Sequence, residues 1–109
     1  MRRLLALRGD RPTGVFAAND LMAIGAMQAV GDAGLSVPRD CSVVGSNDSP
    51  VAALVSPRLT SSRAPYYELA REAASALIAQ LDNQQHAEPV KKLISCQLIV
   101  RDSTATPPV

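Results

Sequence analysis

The sequence predicts an α/β domain built around a parallel sheet. Two short apolar segments, Val15–Ala18 and Cys41–Gly45, are bounded by turn residues, as buried strands are. A segment with helical periodicity lies between them, and a strand–helix–strand unit of this length implies parallel strands joined by a right-handed crossover. Aromatic residues make up only 3% of the chain, whereas 47% is hydrophobic. The core is therefore expected to consist of Ala, Val, Leu and Ile.

The helix between the two strands has a predicted beginning and end. Asn19 or Asp20 can accept hydrogen bonds from the free amides of a first helical turn. Apolar residues then recur at helical intervals over Leu21–Val30, and Gly34 offers a place for the helix to stop.

Shorter elements are predicted on either side of this unit. Met1–Leu7 has a basic end and too short an apolar run for a signal peptide, so it is interpreted as the end of an amphipathic helix. Val51–Val55 follows a proline and predicts one or two helical turns. Leu59–Arg63 is polar and rich in Ser and Thr, which favours an extended crossing strand.

The last third of the chain carries the longest helical pattern. Its apolar residues recur every fourth position over Tyr66–Leu81 and form a stripe (Leu69, Ala73, Leu77 and Leu81). A polar loop follows over 82–86, alternation over Ile94–Val100 predicts a half-buried strand, and Ser103–Val109 is expected to be loose. Few strands are available to cover the stripe. We therefore expect the isolated chain to be unstable, to self-associate through the stripe, or to repack the helix on its own sheet.

Charge and length exclude several classes of protein. The 109 residues form at most one small domain, and the formal net charge is +1. Lys and Arg are scattered apart from two pairs, so no basic stripe predicts direct contact with DNA. No apolar run approaches the roughly 20 residues that span a bilayer. We expect a soluble, cytoplasmic protein with no membrane partner.

The residues that could carry chemistry do not form a catalytic pattern. The single histidine, His86, lies in a polar run and is expected to be exposed. Cys41 and Cys96 stand alone in apolar surroundings, which favours two buried thiols over the alternatives of a disulfide or a metal site. There is no nucleophile motif, no phosphate-binding glycine loop and no cluster of metal ligands. The sequence therefore predicts no enzyme activity, no cofactor and no metal.

Successive segments of the chain follow a pattern known from one protein family. They are Val15–Ala26, Gly34–Asp40, Ser42–Gly45, Leu59–Thr60, Pro65–Leu69 and Val100–Thr104. In order and spacing they resemble the signatures of sensor domains in LacI/GalR-type bacterial transcriptional regulators. The resemblance covers essentially the whole chain.

The resemblance implies a partial doubly wound parallel sheet of the type I periplasmic-binding-protein-like fold, truncated at the N-terminus. In that family two subdomains clasp a small effector, and an N-terminal helix-turn-helix headpiece reads the operator. Residues 1–109 would be the C-terminal part of the sensor domain, and the headpiece would be absent. Residues 13–64 and 92–104 would belong to the C-terminal subdomain, and 65–85 would be a helix crossing to the other one.

The resemblance also implies a ligand site. Ligands of open α/β sheets sit at the carboxyl ends of the strands, and similar family members use an Asn in the first loop and an acidic residue in the second to hold a sugar or purine. These positions are Asn19 and Asn47 here, with Asp48 as the third ligand-binding candidate. A helix cap is the alternative role for Asn19, and a cap or turn residue is the alternative for Asp48.

Three departures from the family pattern bear on the ligand. The second loop lacks the usual aromatic residue, where Ser46 stands, and the usual acidic residue, where Asn47 stands; Ala64 replaces the usual Gln before a proline. An amide accepts fewer and weaker hydroxyl bonds than a carboxylate does, so sugar affinity should fall. Either the effector is unusual or less hydroxylated, which we favour, or the sensor has drifted away from ligand control.

The function implied by the resemblance is effector sensing and dimerisation in a LacI-type regulator. The expected partners are a sugar-like effector, a second copy of the chain, and operator DNA through the missing headpiece only. One alternative is a fragment of a periplasmic sugar-binding protein of an ABC transporter. The other is a bare association module, whose exposed surface would be the helix after Asp20 and the segment Pro50–Val55.

Overall fold

The structure is a computed structural model that describes residues 1–7, 11–82 and 91–107. The predicted polar loop that contains His86 falls outside the described residues beyond Asp82. The elements, in chain order, are α1 (Arg2–Leu5), β1 (Gly14–Phe16), α2 (Asp20–Asp32), β2 (Ser42–Ser46), a 3-10 helix (Pro50–Ala53), β3 (Thr60–Arg63), α3 (Tyr66–Asp82) and β4 (Gln97–Ile99).

The four strands form one sheet in the order β1-β2-β3-β4. β1 pairs with β2 and β2 with β3 in parallel, whereas β4 pairs with β3 in the antiparallel direction. The predicted parallel strand–helix–strand unit is confirmed. Gly34, in the left-handed region at φ 73°, lies just beyond the end of α2, as a helix stop requires.

The chain divides into two compact units. The first contains Met1–Arg63 and Gln97–Val109, and with them the sheet, α1, α2 and the 3-10 helix. The second, Ala64–Cys96, contains α3. The assignment of residues 13–64 and 92–104 to one subdomain, and of 65–85 to the other, stays a prediction.

The core of the first unit is made of small aliphatic side chains, as the low aromatic content predicts. Alanines at Ala23, Ala26 and Ala29 lie on one face of α2, which lets this helix pack closely on β2. The buried cluster consists of Ala17, Ala23, Ala26, Val43, Ala52 and Leu59. The helix at the chain start, α1, is confirmed but has only four residues, none of them buried.

The predicted half-buried strand near the end of the chain is only partly correct. β4 covers three residues rather than the seven of Ile94–Val100, and its Leu98 is 56% exposed. β4 contacts mainly its neighbour β3, and pairing with one strand at the edge of a sheet does not by itself bury alternating apolar side chains. Cys96 precedes the strand and is exposed, so the prediction of two buried thiols is wrong for Cys96 and correct for Cys41; both are free.

The prediction of a loose tail from Ser103 onward is also wrong at its first residue. The Ser103 side chain is fully buried; its Oγ accepts from Thr60 N at 2.8 Å and donates to the Val43 carbonyl at 2.6 Å. The Ser103 carbonyl in turn accepts from Val43 N. A turn after β4 thus places Ser103 against β2 and β3. The prolines further along the tail had suggested a loose segment and gave no sign of this contact.

The apolar stripe of α3 is not buried, since none of the described residues of this helix is. The expectation that the isolated chain is unstable or self-associates through this stripe therefore stays a prediction. In the described part of the chain, no helix combines the length and the apolar character needed to cross a membrane.

Replacing Ser103 with Ala should lower the free energy of unfolding by about 1–3 kcal/mol, because Thr60 N and the Val43 carbonyl each lose a buried partner. Ser75→Ala is the matched control, since Ser75 is exposed on α3 and should change stability by less than about 0.5 kcal/mol. Urea denaturation followed by circular dichroism measures both. Equal effects would contradict the buried role of Ser103.

Candidate functional site

The carboxyl ends of β1, β2 and β3 meet at one edge of the sheet because these strands run in parallel. Residues 17–19 leave this edge after β1, and residues 47–49 leave it after β2. Asn47 is the first residue after β2, and Arg63 is the last residue of β3. The two lie side by side because Ser46 pairs with Ser62 in the register. This edge, with its two loops, is the candidate site.

Asn19 is the N-cap of α2. Its backbone is extended, and its Oδ1 accepts a hydrogen bond from Met22 N at 2.8 Å. The cap role considered from the sequence is therefore present. It uses only the amide oxygen, so the Nδ2 hydrogens of this half-buried side chain are not committed to the cap.

Asp20 joins the two loops. Its carboxylate is almost fully buried; Oδ2 accepts from Ser49 N at 2.6 Å and from Ser49 Oγ at 2.8 Å, and Oδ1 accepts from Ser61 Oγ at 2.6 Å. The sequence predicts only a helix-cap role for Asp20 and gives no sign of this one. Its three donors lie far along the chain, where no local pattern points to them.

Gly45 makes room for the Asp20 carboxylate. A Cβ at this position would lie 2.3 Å from Asp20 Oδ1 and 2.9 Å from Leu59 Cδ2, both closer than atoms can approach. A residue with a side chain on β2 here would have to displace the junction between the loops. The glycine is therefore a steric requirement of the site.

The second loop is held in an unusual backbone conformation. Asn47 and Asp48 have positive φ values of 99° and 49°, a region that Asn and Asp tolerate better than most residues. Two bonds to β3 hold the loop: Asn47 N donates to the Ser62 carbonyl at 2.9 Å, and Asp48 N donates to Ser61 Oγ at 3.0 Å. The Asn47 side chain is exposed at this edge.

Asp48 lies between two arginines. Its side chain is only 3% exposed; Oδ2 accepts from Arg63 Nε at 2.7 Å, and Oδ1 lies 2.7 Å from Arg101 Nη2. Burial raises the pKa of Asp48, but the hydrogen bonds and positive charges of Arg101 and Arg63 outweigh it and hold this pKa below its usual range. The carboxylate is ionised near neutral pH, and both of its oxygens contact a guanidinium.

The two arginines are site residues that the sequence did not predict. Arg63 is the last residue of β3 and the one basic residue in the polar segment Leu59–Arg63. A single cation at the end of a predicted strand was the feature of the sequence that could have pointed to it. Arg101 is mostly buried and also donates through Nη1 to the Leu59 carbonyl at 2.7 Å. The edge thus presents amide and guanidinium groups, while the carboxylates of Asp20 and Asp48 bond within the protein.

A metal centre has no support in this arrangement. Among residues 1–7, 11–82 and 91–107, no three His, Cys, Asp or Glu side chains come together as a metal site would require.

Comparisons with known proteins give a family match and close structural neighbours. The periplasmic binding protein-like domain family matches residues 1–104. The HTH-type transcriptional repressor CytR of Escherichia coli K12 is 38% identical over 108 residues, which are 99% of this chain and 31% of the repressor. The chain thus spans less than a third of the length of that relative.

Two solved structures show the same fold at useful sequence identity. A sugar-binding transcriptional regulator of the LacI family from Escherichia coli, complexed with phosphate, superposes with a TM-score of 0.77 at 38% identity, over 97% of this chain and 37% of the regulator. A lac repressor dimer bound to operator and the anti-inducer ONPF gives a TM-score of 0.77 at 32% identity, over 94% and 35% of the two chains.

Gly45→Ala should lower the free energy of unfolding by about 1–3 kcal/mol, since the added methyl group would overpack the Asp20 junction. Gly31→Ala is the control: it lies on α2 with open space around its Cβ position and should stabilise by about 0.5–1 kcal/mol. Chemical denaturation of both variants measures the difference. A neutral Gly45→Ala would show that the junction is not tight.

Acid should weaken the fold partly through Asp48. Because its folded pKa lies below its unfolded value of about 3.9, its contribution is complete above that pH and disappears as the pH falls through the folded pKa. Asp48→Asn should therefore lower stability more at about pH 7 than at about pH 3, because below its unfolded pKa of about 3.9 the carboxyl takes up a proton more readily in the unfolded chain than in the folded one. Urea unfolding at both pH values tests this; a gap independent of pH would contradict it.

Proposed function

Because the chain belongs to the periplasmic binding protein-like domain family, we propose that it is the effector-sensing and dimerisation part of a LacI-type bacterial transcriptional regulator. A small sugar-like molecule binds at the carboxyl edge of the sheet and controls the binding of operator DNA by a headpiece outside this chain. Such a regulator acts in the cytoplasm. The observation that carries the proposal is the convergence of two polar loops at one sheet edge, in a chain that matches regulators along nearly its whole length.

The proposed ligand contacts are the side chains of Asn19 and Asn47. Asn19 keeps its amide hydrogens available while its oxygen caps α2. Asn47 is exposed at the same edge, on a loop whose conformation is fixed by two bonds to β3. Asp48 shapes the site through that loop and through Arg63. Residues in uncommon backbone conformations cluster at ligand sites, and the positive φ values of this loop fit such a role.

Binding without catalysis is the activity that fits this edge best. A general base or nucleophile needs a side chain free to act on the substrate. The two carboxylates of these loops are instead engaged with Ser49, Ser61, Arg63 and Arg101. The relatives named above are regulators, which agrees with a sensor.

The proposed dimer surface is the groove between α2 and the end of the 3-10 helix. Ile24 and Met27 line it from α2, and Val55 lines it from the other side. Leu54, the neighbour of Val55 along the chain, is 82% exposed and adds to the apolar surface beside this groove. The lac repressor relative is a dimer.

Sensing can be tested by replacing the matching 108 residues of CytR with this chain. The chimera should bind operator DNA and release it when a sugar from a panel is added, measured by fluorescence anisotropy. In the chimera, Asn47→Asp should tighten binding of neutral sugars on the order of tenfold, since a carboxylate accepts stronger hydroxyl bonds than an amide. Gln80→Glu, the same chemical change on exposed α3, should not alter the affinity.

A chimera that binds operator but responds to no sugar, with or without Asn47→Asp, would contradict effector sensing. Asn19→Ala in the same chimera should weaken every response, since it removes both the cap and the proposed contact.

Dimerisation through the α2 groove can be tested with Leu54→Glu. A charge placed beside an apolar dimer surface should shift the chain toward monomer in sedimentation velocity runs. Leu98→Glu, on the exposed face of β4, should leave the distribution unchanged. If both variants sediment as the wild type does, the groove is not the interface.

A further inference from the structure

The acidic side chains at the candidate site, Asp20 and Asp48, are bonded to other residues of the protein. Asp20 accepts three hydrogen bonds, from the backbone and hydroxyl of Ser49 and from the hydroxyl of Ser61. Asp48 is held by Arg63 and Arg101. Neither carboxylate is available to accept hydroxyl hydrogens from a neutral sugar. Asp20 and Asp48 therefore offer a neutral sugar no free carboxylate acceptor.

Arg63 is the exposed charge that this arrangement leaves at the edge. Its side chain is 54% exposed, and it reaches Asp48 through Nε and Nη2, so Nη1 keeps its two hydrogens directed elsewhere. The single negative charge of Asp48 neutralises only one of the two positive charges next to it, because Arg63 and Arg101 share this carboxylate. The three side chains together carry a formal charge of +1.

Arg63 is oriented, not merely present. An arginine on a surface strand ordinarily samples many rotamers, but two hydrogen bonds to a carboxylate with 3% exposure fix the plane of this guanidinium. Asp48 is itself fixed by the bond from its backbone amide to Ser61 Oγ. A prearranged guanidinium recognises planar or tetrahedral oxyanions through paired hydrogen bonds.

The spacing of the strands suits a ligand of limited size. Arg63 ends β3 and lies beside Asn47, the first residue after β2, and Asn19 follows β1, one strand further on. Strands lie about 4.8 Å apart, so the ends of β1 and β3 are separated by about 10 Å. A sugar ring with a charged substituent spans that distance.

Resting on the proposed function, we infer that the effector carries an anionic group, a phosphate or a carboxylate, on a sugar-like body, and that Arg63 is the specificity-determining residue that receives it. Asp48 is a positioning residue that orients Arg63. Asn19 and Asn47 bind the uncharged part of the ligand.

The test compares neutral and charged versions of the same sugars. Glucose, glucose 6-phosphate and glucuronate, ribose and ribose 5-phosphate, and inorganic phosphate alone are titrated into the ¹⁵N-labelled chain and followed by the Arg63 Nε–H and Asn side-chain resonances. The same probes are added to the operator-bound CytR chimera. At least one charged sugar should bind about tenfold more tightly than its neutral parent and move the Arg63 resonance. The phosphate and carboxylate arms show which anion is recognised.

Two arginine variants make the result specific. Arg63→Gln should reduce the preference for the charged sugar to within about twofold, whereas Arg63→Lys should keep part of it. Arg58→Gln is the matched control, because Arg58 is similarly exposed at 61% and also paired with an aspartate, Asp102, but precedes β3 at its other end. This control should bind as the wild type does. Circular dichroism confirms that all three variants remain folded.

Three outcomes would overturn the inference. Neutral and charged sugars that bind equally, with no effect of Arg63→Gln, would refute the role of Arg63 and leave effector sensing intact. Inorganic phosphate that binds as tightly as every sugar phosphate would mean an adventitious ion only. A chimera that holds operator and responds to no probe would refute the inference together with the proposed function.

Discussion

The buried carboxylate of Asp20 is the constraint on which the candidate site depends. One side chain at the start of α2 holds the loop after β2 through Ser49 and holds β3 through Ser61. A carboxylate removed from water is tolerated only when its oxygens are fully hydrogen-bonded, and removing one partner from such a group costs several times what an exposed bond would. The relative positions of α2, β2 and β3 at this edge are therefore set by one residue. The Asp20 carboxylate fits at this position only because Gly45 has no side chain.

A second network continues from the first through a shared hydroxyl. Ser61 Oγ donates to Asp20 and accepts from the backbone amide of Asp48, so the two acidic residues are linked by a single side chain. Asp48 then fixes Arg63, which is exposed at this edge of the sheet, and also contacts Arg101, which is mostly buried. The charge exposed to a ligand is thus determined by groups that the ligand never touches.

Local patterns predicted the parallel unit well, because apolar runs and helix caps act between residues that are near in sequence. β1, α2 and β2 lie within two residues of their expected bounds, and Asn19 has the cap role that its residue type allows. The features that were missed depend on distant partners. Ser49 and Ser61 are 29 and 41 residues from Asp20, and no periodicity records such a pairing. Arg63 could be noticed as a lone cation, but its orientation by Asp48 could not. Cys96 was misassigned because alternation indicates burial only where a second layer covers the strand.

The position of Ser103 has a consequence for how the chain reaches its native state. Its hydroxyl links Thr60 and Val43, which lie 43 and 60 residues earlier in the sequence. Such closure is slow, since large loops must be ordered before the contact forms. During synthesis, β2 and β3 emerge from the ribosome with an amide and a carbonyl still awaiting their internal partner. In a nascent chain this amide and this carbonyl therefore lack their internal partner until the segment that contains Ser103 has been synthesised.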